Sequence, residues 1–209
     1  MANILLVDDH TLIRSALRII ATNLLSNCHI EEASDGDSAF EKIKSLSFSL
    51  VIMDVSMPNT DSFALVHNIL AFQPRTKILV FSMNPEDIYA KRYLNMGAMG
   101  YLRKDAGEEE IRKAITTVLN NKRYISRTLA DSIAEDAFNN KPANPFDKLS
   151  PREFEVLQHL IQGKSVAQIC QQLNLNSSTV SSHKTRILEK LGVTNPVEMN
   201  ILARTYNII

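Results

Sequence analysis

Short apolar runs alternate with longer segments of helical period from the N-terminus to about residue 121. The runs are rich in Val and Ile and nearly continuous in hydrophobicity, which is typical of strands buried on both faces of a sheet. Strands that alternate with helices predict a parallel sheet covered on both sides. The predicted strands are Ile4–Val7, Ile30–Ala33, Leu50–Met53, Ile78–Phe81 and Met99–Leu102.

The segments between these strands carry apolar residues at the spacing of one helix face. In the first, the predicted buried face consists of Leu12, Ala16, Ile19 and Ile20. In the last, it consists of Ile111, Ala114, Ile115, Val118 and Leu119. Five strands and five helices predict a doubly wound α/β domain.

The hydrophobic pattern loosens after residue 121 and changes character near residue 148. We predict a domain over residues 1–121, a linker over 122–147 and a second domain over 148–209. The linker is predicted to be helical over Arg127–Ala137 and then irregular from Phe138 to Pro145, where polar residues and prolines cluster.

The last 62 residues have the pattern of a small all-helical domain. Ser150 suits a helix N-cap, with Pro151 at the first helical position and Glu153 completing a capping box. Three further helices are predicted at about Val166–Gln172, Ser178–Leu191 and Pro196–Tyr206. Asn195 is predicted to cap the last of them, with Pro196 at the first helical position and Glu198 completing a second capping box.

Composition adds a difference in charge between the two halves. The whole chain is neutral, with 23 basic and 23 acidic residues, but from Lys148 onward seven Lys or Arg face four Glu. A basic small domain beside an acidic one favours an anionic partner for the tail.

Neither a secretory signal nor an apolar run of membrane-spanning length is apparent, so we expect a cytoplasmic protein without a membrane partner. Cys28 and Cys170 lack metal-site spacing and are expected to be reduced.

Five polar residues fall at the carboxyl ends of predicted strands: Asp8, Asp9, Asp54, Ser82 and Lys104. These strand ends share one edge of a parallel sheet, where doubly wound folds place their ligands. Converging carboxylates repel one another, and a hard divalent cation such as Mg²⁺ relieves the repulsion. We predict a Mg²⁺ site with Asp9 and Asp54 as ligands and with Asp8 acting directly or through a water molecule. The backbone carbonyl of Ser56 completes the predicted set.

A carboxylate beside such a cation is a competent nucleophile toward phosphorus. Asp54 is predicted to attack, Lys104 to hold the phosphoryl oxygens and Ser82 to donate a hydrogen bond to one of them. An aspartate-dependent phosphohydrolase is the enzymatic alternative. Such enzymes of the haloacid dehalogenase type need an acid two residues after the nucleophile, where this chain has Ser56. We therefore do not expect an enzyme of this type. The neighbouring His10 is expected either to cap the first helix or to pack beside the site.

The motifs Asp8-Asp9-His10, Asp54 followed by Met57-Pro58, Ser82, and Gly97 to Lys104 resemble, in order, the receiver domains of bacterial two-component response regulators. The resemblance implies a flavodoxin-like fold and phosphorylation of Asp54 by a sensor histidine kinase. It also implies that Tyr101 acts as a switch together with Ser82. Ser62 departs from the pattern, because many receivers have Gly there. We expect a changed loop geometry and intact chemistry.

The third helix of the tail combines a buried face with small polar and basic residues. Val180, Ile187 and Leu191 form the predicted buried face. Side chains predicted to approach DNA are Ser181, Ser182, Lys184, Thr185 and Arg186. Further phosphate contacts are predicted at helix N-termini from Lys164, Ser165, Ser178 and Thr179.

The tail resembles the LuxR-type helix-turn-helix domain. The matching stretches are Leu149–Leu157, Gly163–Ser165, Thr179–Lys184 and Lys190–Asn195. Together, the two halves resemble the NarL/FixJ class of transcription regulators. This resemblance implies promoter DNA as a partner and a homodimer formed on phosphorylation or on DNA, with Val197, Ile201 and Leu202 of the last helix divided between core and partner. A DNA-binding protein whose receiver serves only for dimerisation is the remaining alternative.

Overall fold

The computed structural model describes residues 2–138, 144–173, 175–206 and 208–209. The chain divides into two compact units, Met1–Phe138 and Asn139–Ile209. The predicted domain bounds at residues 121 and 147 stay a prediction. Much of the predicted irregular stretch from Phe138 to Pro145 lies outside the described residues, as does Asn174, between the second and third predicted helices of the tail.

Within the described residues of the first unit, five parallel strands form one sheet in the order β2-β1-β3-β4-β5. Strands β1, β3 and β4 lie inside the sheet and are almost entirely buried, as their continuous apolar runs predict. The fold class is confirmed. The strands are β1 Ala2–Val7, β2 Cys28–Ala33, β3 Leu50–Met53, β4 Lys77–Ser82 and β5 Gly100–Arg103.

Five helices connect or follow these strands in the described part of this unit, and a sixth leads toward the tail. Among them, α2 and α3 begin at aspartate N-caps, because the side chains of Asp35 and Asp61 each accept an amide hydrogen bond. The helices are α1 Thr11–Leu24, α2 Gly36–Ser45, α3 Ser62–Phe72, α4 Glu86–Asn95, α5 Glu108–Leu119 and α6 Arg127–Phe138.

The predicted buried face of α1 is wrong at three of its four positions. Leu17, Ile20 and Ala21 are buried, whereas Leu12 and Ile19 are 84% and 62% exposed. Ala16 is exposed as well. Apolar residues occur on two overlapping faces of this segment, so their spacing alone does not determine which face packs on the sheet. For α5, Ile111, Ala114, Ile115 and Val118 are buried as predicted, whereas Leu119 is half-buried.

The segment before α6 covers the outer edge of the sheet. Tyr124 forms a parallel bridge with Gly100, and its amide donates to the Met99 carbonyl at 2.8 Å. A Cβ atom on Gly100 would lie only 3.1 Å from the Tyr124 Cβ and 2.9 Å from Leu79 Cδ1. Glycine at the start of β5 therefore lets the linker approach this edge strand.

The described part of the second unit contains a short 3₁₀ turn, Pro145–Lys148, and four α-helices. Its core contains Phe146, Phe154, Leu157, Ile169 and Val180, each fully buried. The predicted order of helices is confirmed. The helices are α7 Pro151–Ile161, α8 Val166–Leu173, α9 Ser177–Leu191 and α10 Pro196–Thr205.

Capping residues set the starts of these helices. The predicted capping box is present at Ser150 and Glu153, each side chain accepting a backbone hydrogen bond from the other residue. Asn195 caps α10 as predicted, but Glu198 differs from the prediction. Its carboxylate accepts from the Thr194 amide at 2.7 Å, one residue before the cap.

Candidate functional site

The carboxyl edge of the sheet brings three carboxylates, a lysine and a serine hydroxyl to one end of the first unit. The sheet ladder continues one residue past each strand, since the Asp54 amide donates to the Val7 carbonyl at 2.8 Å and the Lys104 amide to the Ser82 carbonyl at 3.0 Å. Backbone pairing therefore fixes the positions of the Asp54 and Lys104 Cα atoms, from which the two side chains extend. Asp8 and Asp54 are only 2% and 3% exposed.

Lys104 links the two buried carboxylates. Its Nζ atom lies 2.6 Å from Asp8 Oδ2 and 2.9 Å from Asp54 Oδ2, and its side chain is 6% exposed. Burial alone would lower the pKa of Lys104, but the hydrogen bonds and charges of Asp8 and Asp54 outweigh it and raise the pKa. The lysine is therefore charged and oriented toward Asp54.

The other oxygen of Asp54 is also oriented by the chain. The Ser56 amide donates to Asp54 Oδ1 at 3.0 Å, so one carboxylate oxygen faces the backbone and the other faces Lys104. The predicted role of the Ser56 carbonyl as a metal ligand stays a prediction.

Asp8, Asp9, His10 and Asp54 form an oxygen-rich cluster that fits a hard cation. One ligand atom from each residue lies within 4.8 Å of the other three. His10 occupies the N-cap position of α1 without a side-chain capping bond. Its Nδ1 atom instead lies 2.8 Å from Asp9 Oδ1 and 3.2 Å from Asp8 Oδ1, so it packs beside the site. The three carboxylates suit Mg²⁺ in their donor chemistry, because this cation prefers oxygen ligands.

Sequence reasoning missed Arg14, which supports the loop carrying Asp8. The guanidinium donates to the Asp8 carbonyl at 2.6 Å and pairs with Glu32 at the end of β2 at 3.1 Å. Arg14 lies one turn into α1, so no local motif marks it. Only the pairing of β2 with β1 brings Glu32 within reach.

Ser82 and Tyr101 meet at the loop that leaves β4. Ser82 is fully buried, and its Oγ accepts from the Asn84 amide at 3.2 Å. The Tyr101 hydroxyl donates to the Asn84 carbonyl at 3.0 Å, and its ring is also fully buried. Burial raises the pKa of Tyr101, so the phenol stays protonated and able to donate. Both predicted switch residues therefore hold the backbone of one residue, Asn84.

Ser62 lies at the first position of α3, where its hydroxyl hydrogen-bonds with the Tyr93 hydroxyl at 2.8 Å. The Tyr93 ring stacks on Phe63 with a centroid distance of 4.6 Å. The left-handed residue of the preceding loop is Asn59, with φ at 55°. The side chain that replaces the expected glycine thus joins α3 to α4. Whether the loop geometry differs from that of other receivers stays a prediction.

In the second unit, α9 presents a continuous polar surface. Val180, Ile187 and Leu191 are buried as predicted. Ser181, Ser182, Thr185 and Arg186 are exposed, whereas Lys184 is half-buried. At the helix start, the Asn176 side chain accepts from the Thr179 amide and from the hydroxyls of Ser178 and Thr179. These two hydroxyls are therefore engaged in the cap.

Two other predicted contacts at a helix start have partners within the tail. Lys164 Nζ lies 3.0 Å from His159 Nδ1 and 2.8 Å from Gln172 Oε1. Ser165 and Gln168 cap α8 reciprocally. A phosphate contact by Lys164 would require exchange of these two hydrogen-bond partners.

A buried glutamate joins α7 to α9. Glu153 is 3% exposed, and Lys190 Nζ lies 2.6 Å from its Oε2 atom. Burial alone would raise the pKa of Glu153, but hydrogen bonds from Lys190 and Ser150 outweigh it and leave the pKa lowered. His183, on the same helix as Lys190, has a pKa lowered by burial and is neutral at pH 7.

Comparisons with known proteins agree with this architecture. The family described as response regulator receiver domain matches residues 4–116, and the family described as bacterial regulatory proteins, luxR family, matches residues 147–203. The chain belongs to the two-component response regulators, with a receiver domain followed by a LuxR-type DNA-binding domain. The predicted family is confirmed.

Relatives match over nearly the whole chain. Response regulator UvrY of Escherichia coli K12 is 33% identical over 204 residues, which cover 97% of this chain and 94% of UvrY. Response regulator GacA of Pseudomonas aeruginosa is 32% identical and covers 100% and 98% of the two chains. RcsB of Salmonella enterica serovar Typhimurium, solved on promoter rprA with the phosphomimetic BeF₃⁻, has a TM-score of 0.71 at 24% identity, covering 96% and 97%. At this identity, the RcsB match shows the fold alone.

None of the helices in the described ranges is both long and apolar enough to cross a membrane.

Proposed function

We propose that Asp54 accepts a phosphoryl group from a sensor histidine kinase and thereby controls DNA binding by the tail. The observation that carries the proposal is the position of Lys104, a buried cation in contact with Asp54 and Asp8. In the transfer, an Asp54 oxygen bonds to phosphorus as the bond from phosphorus to the kinase histidine breaks, and that imidazole is left to take a proton. The Lys104 ammonium group pairs with the Asp54 carboxylate before the transfer and can pair with the phosphoryl oxygens after it.

Asp8, Asp9 and Asp54 are the residues proposed to hold Mg²⁺, with the Ser56 carbonyl as a further ligand. When bound, the cation neutralises charge on the transferring oxygens. The close approach of the three carboxylates supports this assignment. Arg14 fixes the loop backbone at Asp8, and the Ser56 amide orients Asp54. The Ser82 hydroxyl accepts from the Asn84 amide and hydrogen-bonds with the Tyr101 hydroxyl, so its donation to a phosphoryl oxygen would replace the bond with Tyr101.

The surface beside the site suits a protein phosphodonor. Leu12 is 84% exposed and Ile19, two turns further along α1, is 62% exposed. Exposed apolar side chains on one helix often mark a protein contact. The kinase histidine can reach Asp54 only when the kinase contacts the carboxyl ends of the strands, where α1 begins.

The tail is proposed to bind promoter DNA through α9, with Ser181, Ser182, Lys184, Thr185 and Arg186 facing the duplex. Val197 and Ile201 on α10 are 68% and 62% exposed, which supports a second copy as their partner. The phosphate contacts predicted from Lys164, Ser165, Ser178 and Thr179 are part of the same proposal. A promoter-binding regulator works in the cytoplasm, and family membership favours this role over that of a phosphohydrolase.

Phosphate uptake tests the proposal. The protein is incubated with Mg²⁺ and acetyl phosphate, and its intact mass is compared for the wild type, Asp54→Asn and Asp37→Asn. We expect one phosphate on the wild type and on Asp37→Asn, whose carboxylate is exposed on α2, and none on Asp54→Asn, which lacks the nucleophile. Wild-type phosphorylation should also strengthen binding to promoter DNA. A full adduct on Asp54→Asn would falsify the assignment of the acceptor.

A further inference from the structure

The start of linker helix α6 is held to the receiver by one carboxylate. Glu86, the first residue of α4, accepts two hydrogen bonds from Ser126: the hydroxyl donates to Oε2 at 2.6 Å and the amide to Oε1 at 3.3 Å. We call these two bonds the Glu86–Ser126 clasp. Ser126 in turn caps α6, since its Oγ accepts from the Leu129 amide at 3.0 Å.

Glu86 lies four residues after Ser82, which is proposed to contact the phosphoryl group. Ser82 Oγ and the Tyr101 hydroxyl bond to the amide and the carbonyl of Asn84, respectively. Asn84 precedes Glu86 by two residues, with Pro85 between them, and proline restricts the backbone of that short connection. Any displacement of Ser82 or Tyr101 is therefore passed to Glu86 through a short and stiff segment.

Open space lies beside the clasp, between the start of α6 and the receiver. Leu129 is buried, but a cavity of about 350 Å³ lies beside it. The lining residues are Pro85, Glu86, Asp87, Arg103, Thr128 and Leu129. Tyr124, before the clasp, is fixed independently by its bridge to Gly100 and by its hydroxyl, which donates to Glu110 at 2.7 Å. The linker thus has a fixed point at Tyr124 and a releasable one at Ser126.

We infer that the Glu86–Ser126 clasp is the contact through which the phosphorylation state of Asp54 controls the linker. When Ser82 donates to a phosphoryl group on Asp54, it shifts toward that group and draws the Asn84 amide with it. Glu86 then moves away from Ser126, and two bonds with narrow geometric limits are lost. Release of α6 loosens the linker that leads along the chain to the DNA-binding unit. The inference rests on the proposed function, because it requires phosphorylation of Asp54.

Amide hydrogen exchange of Thr128, Leu129 and Ala130 in the full chain tests the clasp. Without phosphodonor, Glu86→Gln should exchange these amides about tenfold faster than the wild type, because a charge-assisted pair of bonds is lost. Asp87→Asn is the matched control: it removes the neighbouring exposed carboxylate from the same helix turn and should leave the rates unchanged. Equal acceleration in both variants would overturn the clasp.

A second pair of variants separates the clasp from the helix cap. Both Ser126→Asp and Ser126→Asn keep an N-cap side chain for α6. The aspartate repels Glu86, whereas the asparagine can still donate to it. We expect rapid exchange in Ser126→Asp and near wild-type exchange in Ser126→Asn. Similar rates in the two would contradict a role for the carboxylate.

Addition of Mg²⁺ and acetyl phosphate tests the coupling. The wild-type amides should then exchange faster, and those of Glu86→Gln, already released, should not change further. Intact mass on the same samples reports the adduct on Asp54. An adduct with unchanged or slower exchange in the wild type would overturn this inference alone. Absence of any adduct would overturn the proposed function and this inference with it.

Discussion

Lys104 is buried between two carboxylates that come from two other strands, whereas α9 presents its polar residues from one continuous stretch of an exposed helix face. The first arrangement depends on the whole sheet, and its charges interact in a region of low water content. The second depends on one helix, and water screens each of its charges. A single substitution should therefore affect folding and chemistry at the first site, and mainly binding at the second.

The largest effect is expected at Lys104. Lys104→Met keeps an unbranched stem but leaves Asp8 and Asp54 buried without their cation, which we expect to lower the free energy of unfolding by roughly 3 kcal/mol in the absence of Mg²⁺. Mg²⁺ should restore part of that loss, because it supplies positive charge to the same carboxylates. Urea unfolding with and without Mg²⁺ measures both effects.

Lys113→Met provides the control for this prediction. Lys113 is exposed on α5, and its removal deletes the same charge without leaving a buried carboxylate unpaired. We expect a change of less than about 0.5 kcal/mol and no response to Mg²⁺. If the two variants lose the same stability, the pairing of Lys104 with Asp8 and Asp54 is not a stabilising contact in solution.

The contrast between the two sites also explains what could be predicted from the sequence. The positions of strand-end carboxylates follow directly from the apolar runs, so the sequence alone predicts where Asp8, Asp9 and Asp54 lie. The starts of α7 and α10 were predictable because Ser150 and Asn195 act on neighbouring backbone amides. In each case, the signal lies within a few residues of the feature.

Contacts between distant segments carried no such signal. The support of Asp8 by Arg14 needs Glu32 on a neighbouring strand, and the contact between Glu86 and Ser126 joins residues 40 positions apart. The predicted buried face of α1 is wrong because it, too, depends on contacts with distant segments. Apolar residues occur on two overlapping faces of this helix, and packing against the sheet determines that the face with Leu17 and Ala21 is buried.

A smaller effect is expected at Glu153, the buried carboxylate of the DNA-binding unit. Glu153→Gln should destabilise this unit by about 1 to 2 kcal/mol at pH 7, since Lys190 is 40% exposed and partly screened. The lowered pKa of Glu153 means that its contribution is present above the usual value of 4.5 and is lost as the pH falls through the folded-state pKa. The difference between variant and wild type should therefore shrink below about pH 4.5.

Hydrogen exchange of α7 and α9 amides at pH 7 and pH 4 measures this dependence. Glu189→Gln, which removes an exposed carboxylate from α9, should show neither the loss at pH 7 nor its disappearance in acid. A destabilisation of Glu153→Gln that persists unchanged at pH 4 would mean that packing, and not the ion pair with Lys190, accounts for it.

The smallest effect on the fold, and the most specific effect on binding, is expected at Lys184. Its ammonium group is proposed to contact a DNA phosphate, so Lys184→Ala should weaken binding severalfold without changing the free energy of unfolding. Each lost phosphate contact lowers the slope of log affinity against log salt by about 0.9 for duplex DNA. Binding measured from low to high salt should therefore converge for variant and wild type, and Lys113→Ala, the same charge change in the receiver, should keep the wild-type slope. Parallel lines for Lys184→Ala and the wild type would place Lys184 outside the interface, because a charge that releases no counterion contacts no phosphate.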